Sequence, residues 1–124
     1  MVMACGCLSS LPVYKGPGTS VTSPVGLRQR GVASYYGEAF HGRKTANGEV
    51  FDMHALTCAH RTLPFGTMVE VTNLDNGNRV TVRVNDRGPY VSGRIIDLTV
   101  KAARELGMID SGIAKVMLTI RGRR

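Results

Sequence analysis

At 124 residues the chain has room for one domain built round a single core, and a second domain does not fit. Its 16 Lys and Arg against 9 Asp and Glu give a formal charge of +7, which biases it toward anionic partners such as nucleic acid, acidic lipid or cell-wall polymer without choosing among them. Trp is absent and aromatic residues make up only 6%, which argues against the long row of stacked rings used on single-stranded nucleic acid; no apolar run approaches the roughly 20 residues a bilayer span needs.

The N-terminal part reads as a tether. Cys5, Cys7 and Cys58 are an odd, unevenly placed set that does not form a disulfide framework, and the apolar start MVMACGCL is too short for a secretory h-region. Val2-Met3-Ala4-Cys5 nevertheless has the small-residue-then-Cys ending of a lipoprotein cleavage site, which makes Cys5 a candidate for lipidation; the alternative is incidental thiols at a ragged N-terminus. From Ser9 to Arg30 the chain is rich in Ser, Gly, Pro and Thr with no sustained period. The expected division is therefore 1–30 for lipoprotein remnant and linker, and 31–122 for the folded domain.

Beyond Gly31, short alternating segments between turn signals predict an all-β fold with one or two short helices, a sandwich or a barrel. Val69 and Val71 alternate with Glu70 and Thr72, and Asn73-Leu74-Asp75-Asn76-Gly77 supplies a tight reversal. On the return strand Val80, Val82 and Val84 share one face, Arg79, Thr81, Arg83 and Asn85 the other, and Asp86 continues the apolar register. Ile95 and Ile96 open a short strand. Thr99 caps a helix over Val100–Leu106 that Gly107 ends. In the last strand Ala114, Val116, Leu118 and Ile120 alternate with Lys115, Met117, Thr119 and Arg121.

Three side chains suit chemistry. Asp86 falls where the valine face runs into Gly88-Pro89, so its carboxyl is expected at the mouth of the core, a placement suited to a general acid; the bland alternative is a turn aspartate bonding the Arg87-Gly88 backbone. Arg87 is expected to point to the opposite side. Glu49 follows the Asn47-Gly48 turn in a polar loop, where it serves either as a second carboxylate or as a solubilising residue. His60 is a catalyst or a hydrogen-bonded core histidine. Cys58 and His60, two apart, raise a thiol-imidazole pair, but no orienting third group stands near and a buried inert Cys58 is the simpler reading. His41, His54 and His60 lack the spacing of a compact metal site, so neither metal nor cofactor is expected.

The order of several longer motifs resembles a known family. GVASYYG at 31–37, FHGRKTANGEVFDM at 40–53, LTCAHRTLPFGT at 56–67, VTNLDNG at 71–77, RVNDRGPY at 83–90 and GRIIDLT at 93–99 together look like the rare lipoprotein A, or RlpA-like, proteins. The resemblance covers nearly all of residues 31–121. It implies a six-stranded double-psi β-barrel of the RlpA and expansin type. Its catalytic aspartate falls on Asp86, its glutamate on Glu49 and its histidine on His60, while Ser34 and Tyr36, with Tyr35 in place of the usual Trp, resemble the substrate-lining positions.

The implied activity is that of an endolytic peptidoglycan lytic transglycosylase. It would cleave the MurNAc–GlcNAc bond of peptide-stripped glycan and leave 1,6-anhydro-MurNAc ends. Glycan strands are then the partner and nucleic acid is not; the protein is expected to be a monomer in the cell envelope, either periplasmic with lipid anchoring to the outer membrane or secreted. The alternative is a non-catalytic, expansin-like wall-binding module. The carboxy-terminal glycan-binding repeat of many relatives has no counterpart in this sequence, which leaves septal targeting open.

Overall fold

The strongest alternation in the sequence becomes a hairpin in the computed structural model, which describes residues 25–123. In it β3 (Thr67–Asn73) runs antiparallel to β4 (Arg79–Asp86), with Val69 opposite Val82 and Val71 opposite Val80. The reversal works because Gly77 adopts φ +79°, where a side chain would be strained, while Asn73 and Asn76 accept the amides of Asp75 and Asn78. Cys5 and most of the tether lie outside the described residues.

Four more strands complete the sheet: β1 (Arg28–Tyr35), β2 (Thr57–Ala59), β5 (Arg94–Leu98) and β6 (Ile113–Arg123). In the order β1-β5-β2-β4-β3-β6 they close on themselves, so the described sheet has no free edge. The pairs β1/β5 and β2/β4 are parallel and the others antiparallel, which gives the six-stranded double-psi barrel expected of the sequence. β1 starts at Arg28, three residues ahead of the Gly31 at which the pattern becomes legible. Its Gly31 is required by packing, since a Cβ there would stand 2.7–2.9 Å from three side-chain carbons of Ile95 on β5.

The barrel is filled by Val69, Val71, Val82, Val84, Ile96, Leu98, Val116 and Leu118, all essentially inaccessible. Each such side chain contributes about 1.5–3 kcal/mol of burial free energy. A short helix, α1 (Val100–Glu105), buries Ala102 and Ala103 against them, and the Thr99 hydroxyl accepts the Ala102 amide as its N-cap. At its other end the Leu106 carbonyl accepts the side-chain amides of Asn73 and Asn76 at 2.9 and 3.0 Å, tying helix to hairpin. The fold thus puts the C-terminal end of β4, with Asp86, beside β2 and the loop that precedes it.

Candidate active site

Asp86 closes β4 where the buried face of Val80, Val82 and Val84 runs out. Strand pairing places Ala59 of β2 opposite Asp86, Asp97 of β5 opposite Ala59, and Ser34 of β1 opposite Asp97. The four residues make one row across four adjacent strands, with two carboxylates separated by an alanine. At the usual strand spacing the backbones of Asp86 and Asp97 are about 10 Å apart.

The Asp86 side chain is half-buried, and its Oδ1 accepts two backbone amides, from Ala46 and Arg87, each at 2.9 Å. The turn aspartate and the barrel-mouth carboxyl left open by the sequence are therefore the same residue. Among the described residues no hydrogen bond reaches Oδ2, which leaves that oxygen to exchange a proton. The side chain of Arg87, the residue after β4, turns away from Asp86, as the alternation predicts. Its guanidinium donates to the carbonyls of His60 (3.1 Å) and Leu63 (2.8 Å) and stacks 3.9 Å over the Phe65 ring.

The amide from Ala46 belongs to a tight loop whose shape depends on Glu49. The Thr45 amide donates to the Glu49 carbonyl at 2.7 Å, the Gly48 amide to Thr45 at 3.0 Å, and the Asn47 amide to the Asn85 carbonyl at 3.3 Å. The Glu49 carboxylate is gripped by Arg83 at 2.6 and 2.9 Å and also accepts from Asn85 (3.1 Å) and Asn47 (3.0 Å). The Arg83 hydrogen bonds, helped by those of Asn85 and Asn47 and opposed by partial desolvation, hold the carboxyl down at about 2. Glu49 is thus a fixed anion that shares no hydrogen bond with Asp86 and reaches it only through the loop backbone. A cavity of about 480 Å³ opens against this clamp, walled by Asn47, Glu49, Phe65, Gly66 and Arg83.

His60 follows β2 and is buried, 4% exposed. Its Nδ1 accepts the amides of Thr62 and Leu63, both at 3.1 Å, which assigns the proton to Nε2, 2.9 Å from the Gln29 side-chain oxygen. Desolvation, reinforced by Arg61 and Arg87, lowers its pKa to about 4. The ring is therefore neutral near pH 7 and shapes the turn after β2. Its link to Asp86 is through the main chain, where the His60 amide donates to the Asp86 carbonyl at 3.1 Å. Cys58 is wholly buried and burial pushes its thiol up, so it is an inert core residue with no bond to the imidazole.

At the end of β1 and just beyond it the expected substrate-lining residues separate. The Ser34 hydroxyl donates to Asp97, whose two oxygens also hold Arg94 at 2.8 and 3.0 Å. The Tyr35 hydroxyl donates to the Ile109 carbonyl at 2.9 Å and its ring packs on the core, away from Tyr36. Tyr36 stacks on Phe51 with ring centres 4.6 Å apart and takes the half-exposed Phe40 edge-on at 5.5 Å. Sequence reasoning alone misses Asp97; the signal for it is the lone acid between Ile96 and Leu98 in GRIIDLT. His41 and His54 meet edge-to-face at 5.9 Å, and among the described residues no three His, Cys, Asp or Glu side chains cluster as a metal site.

A closed double-psi barrel with an aspartate at its mouth and a clamped TANGE loop defines an RlpA-like protein. The sequence profile of the family described as lytic transglycolase matches residues 28–118, and the chain belongs to that family. It is 62% identical over 90 residues to a Synechocystis sp. protein named as a probable endolytic peptidoglycan transglycosylase RlpA, an alignment covering 73% of this chain and 28% of that protein. The endolytic peptidoglycan transglycosylase RlpA of Campylobacter jejuni is 56% identical over 98 residues, 79% of this chain and 36% of the relative. The chain thus spans about a third of the length of these curated relatives. Among solved structures, the Streptomyces papain inhibitor superposes with a TM-score of 0.64 at 26% identity, covering 79% of this chain and 97% of the inhibitor.

Proposed function

We propose that the protein is an endolytic peptidoglycan lytic transglycosylase of the cell envelope, with Asp86 as its single acid and base. The observation that carries this reading is the half-bonded Asp86 carboxyl, Oδ1 filled by two amides and Oδ2 unbonded among the described residues, in a chain whose relatives bear that name. Protonated on Oδ2, Asp86 gives its proton to the glycosidic oxygen between MurNAc and GlcNAc as the C1–O bond breaks. The resulting carboxylate takes a proton from the muramic C6 hydroxyl, and O6 closes on C1 to leave a 1,6-anhydro end. One proton enters and one returns, no water is consumed, and the two-carboxylate geometry of inverting hydrolysis is not needed.

In this scheme Glu49 and His60 are positioning residues. Glu49 holds the loop whose Ala46 amide orients Asp86, and His60 fixes the turn that Arg87 grips. Sugar contact falls to Tyr36 and Phe40 at the mouth and to Ser34 beside them. Peptide-stripped strands are the preferred substrate, the protein acts as a monomer, and Cys5 carries a lipid anchor to the outer membrane. Incubation of purified protein with peptide-free glycan strands, followed by mass spectrometry of the ends, tests the activity. Anhydro-muramyl ends support it. Reducing ends would indicate a hydrolase, and binding without cleavage would indicate an expansin-like module.

A further inference from the structure

Tyr36 follows β1 directly, and its amide donates to the Leu98 carbonyl of β5 at 3.0 Å, so its backbone is pinned to the strand that carries Asp97. Its ring is held between buried Phe51 and the edge of Phe40. The hydroxyl is fully buried and, among the described residues, has no hydrogen-bond partner. An unpaired buried hydroxyl is costly, so it needs a reason to persist.

Its surroundings supply one. Burial, then the charges of Asp86, buried Cys58 and Asp97, with a smaller hydrogen-bonding influence of Asp86, push its ionisation far above the ordinary tyrosine value, so it is an O–H donor at neutral pH. Both oxygens of Asp97 are already occupied by Ser34 and Arg94, and Oδ1 of Asp86 by two amides. Among these four carboxyl oxygens, Oδ2 of Asp86 is the one that accepts no hydrogen bond from the described residues.

We propose that the Tyr36 hydroxyl is the donor for Oδ2 of Asp86, and that Tyr36 is a positioning residue for the proton transfer. With Ala46 and Arg87 on Oδ1 and Tyr36 on Oδ2, three fixed donors lock the carboxyl plane and leave one lone pair directed at the glycosidic oxygen. In the free protein the hydroxyl is without a partner among the described residues but feels the Asp86 charge, and the hydrogen bond closes when a sugar excludes water, as hydrogen bonds in unliganded sites commonly do. The inference rests on the reading of Asp86 as the proton carrier.

Two measurements separate this role from a structural one. Tyr36→Phe keeps the ring and its stacking, and it is expected to lower kcat about 10- to 100-fold with KM unchanged. In an ultraviolet titration, one tyrosine of the wild type stays un-ionised to about pH 12, and Asp86→Asn lowers the onset of its ionisation by removing the neighbouring charge. Wild-type kcat in Tyr36→Phe overturns the proposal, as does a raised KM at unchanged kcat, which would assign the hydroxyl to sugar binding. So does a tyrosine titration indifferent to Asp86→Asn. If the wild type makes no anhydro ends, the transglycosylase reading fails, while the titration still decides the contact between Tyr36 and Asp86. It also decides if Tyr36→Phe does not fold.

Discussion

Arg83 closes on Glu49 through two parallel hydrogen bonds, at 2.6 and 2.9 Å, three residues before Asp86 on the same strand. The pair links the loop whose Ala46 amide donates to Asp86 with the strand that carries it. Both partners are partly exposed, 24% and 39% for their side chains, so the bond is weak as a source of stability and strong as a constraint on shape.

Glu49→Gln should therefore separate stability from turnover. The expected loss is about 0.5–1 kcal/mol in urea unfolding. Turnover should fall about 10-fold, because the Ala46 amide shifts relative to Oδ1. The carboxyl is depressed in the folded state, from an ordinary 4.5 to about 2, so its contribution is complete above pH 4.5 and is lost as pH falls toward 2. Urea midpoints measured across that window should converge for wild type and variant at the acid end. Equal turnover would confine Glu49 to the surface.

His60 gives a second, separable pH signature. Its folded value of about 4 lies below the ordinary 6.5, so the unfolded chain binds a proton that the folded one excludes between those limits. Stability should be at its full level above pH 6.5 and decline as pH falls to about 4. His60→Ala leaves the Thr62 and Leu63 amides without their acceptor and should cost about 2 kcal/mol. It should also remove this decline; a decline that persists in the variant would assign it to other groups.

Gly31 tests the packing of β1 on β5. Gly31→Ala drives a methyl into the Ile95 side chain and is expected to cost about 1–3 kcal/mol. Combining it with Ile95→Ala, which removes the three carbons in the way, should recover part of that loss. Strictly additive losses in thermal unfolding would show that the close approach is not the cause.

Much of the barrel was legible because burial on one face imprints a period of two. The valines of β3 and β4 and the Ala114–Ile120 run of β6 carry that imprint plainly. β2 does not, since Thr57, Cys58 and Ala59 are all buried between two neighbouring strands and no alternation survives. β1 hides its start for the opposite reason: Arg28, Gln29 and Arg30 are all exposed and read as linker.

The site was legible in its residues and less so in its contacts. Motif resemblance placed Asp86, Glu49 and His60, but the partner of Glu49 lies 34 residues away and the partner of His60 Nε2 31 away. Those separations are set by barrel closure and leave no local trace. The same closure divides the two adjacent tyrosines, sending Tyr35 to the Ile109 carbonyl and Tyr36 to the acids.

In the proposed mechanism one carboxyl both gives and takes the proton. Asp86→Asn preserves an oxygen for the Ala46 and Arg87 amides, so the fold should stand while proton exchange ends. Counting anhydro-muramyl ends released from peptide-free glycan by wild type and by Asp86→Asn, with circular dichroism as the control for folding, tests this directly. Abundant ends are expected from the wild type, with a loss of about 100-fold or more in the folded variant. Undiminished release by Asp86→Asn would contradict the mechanism.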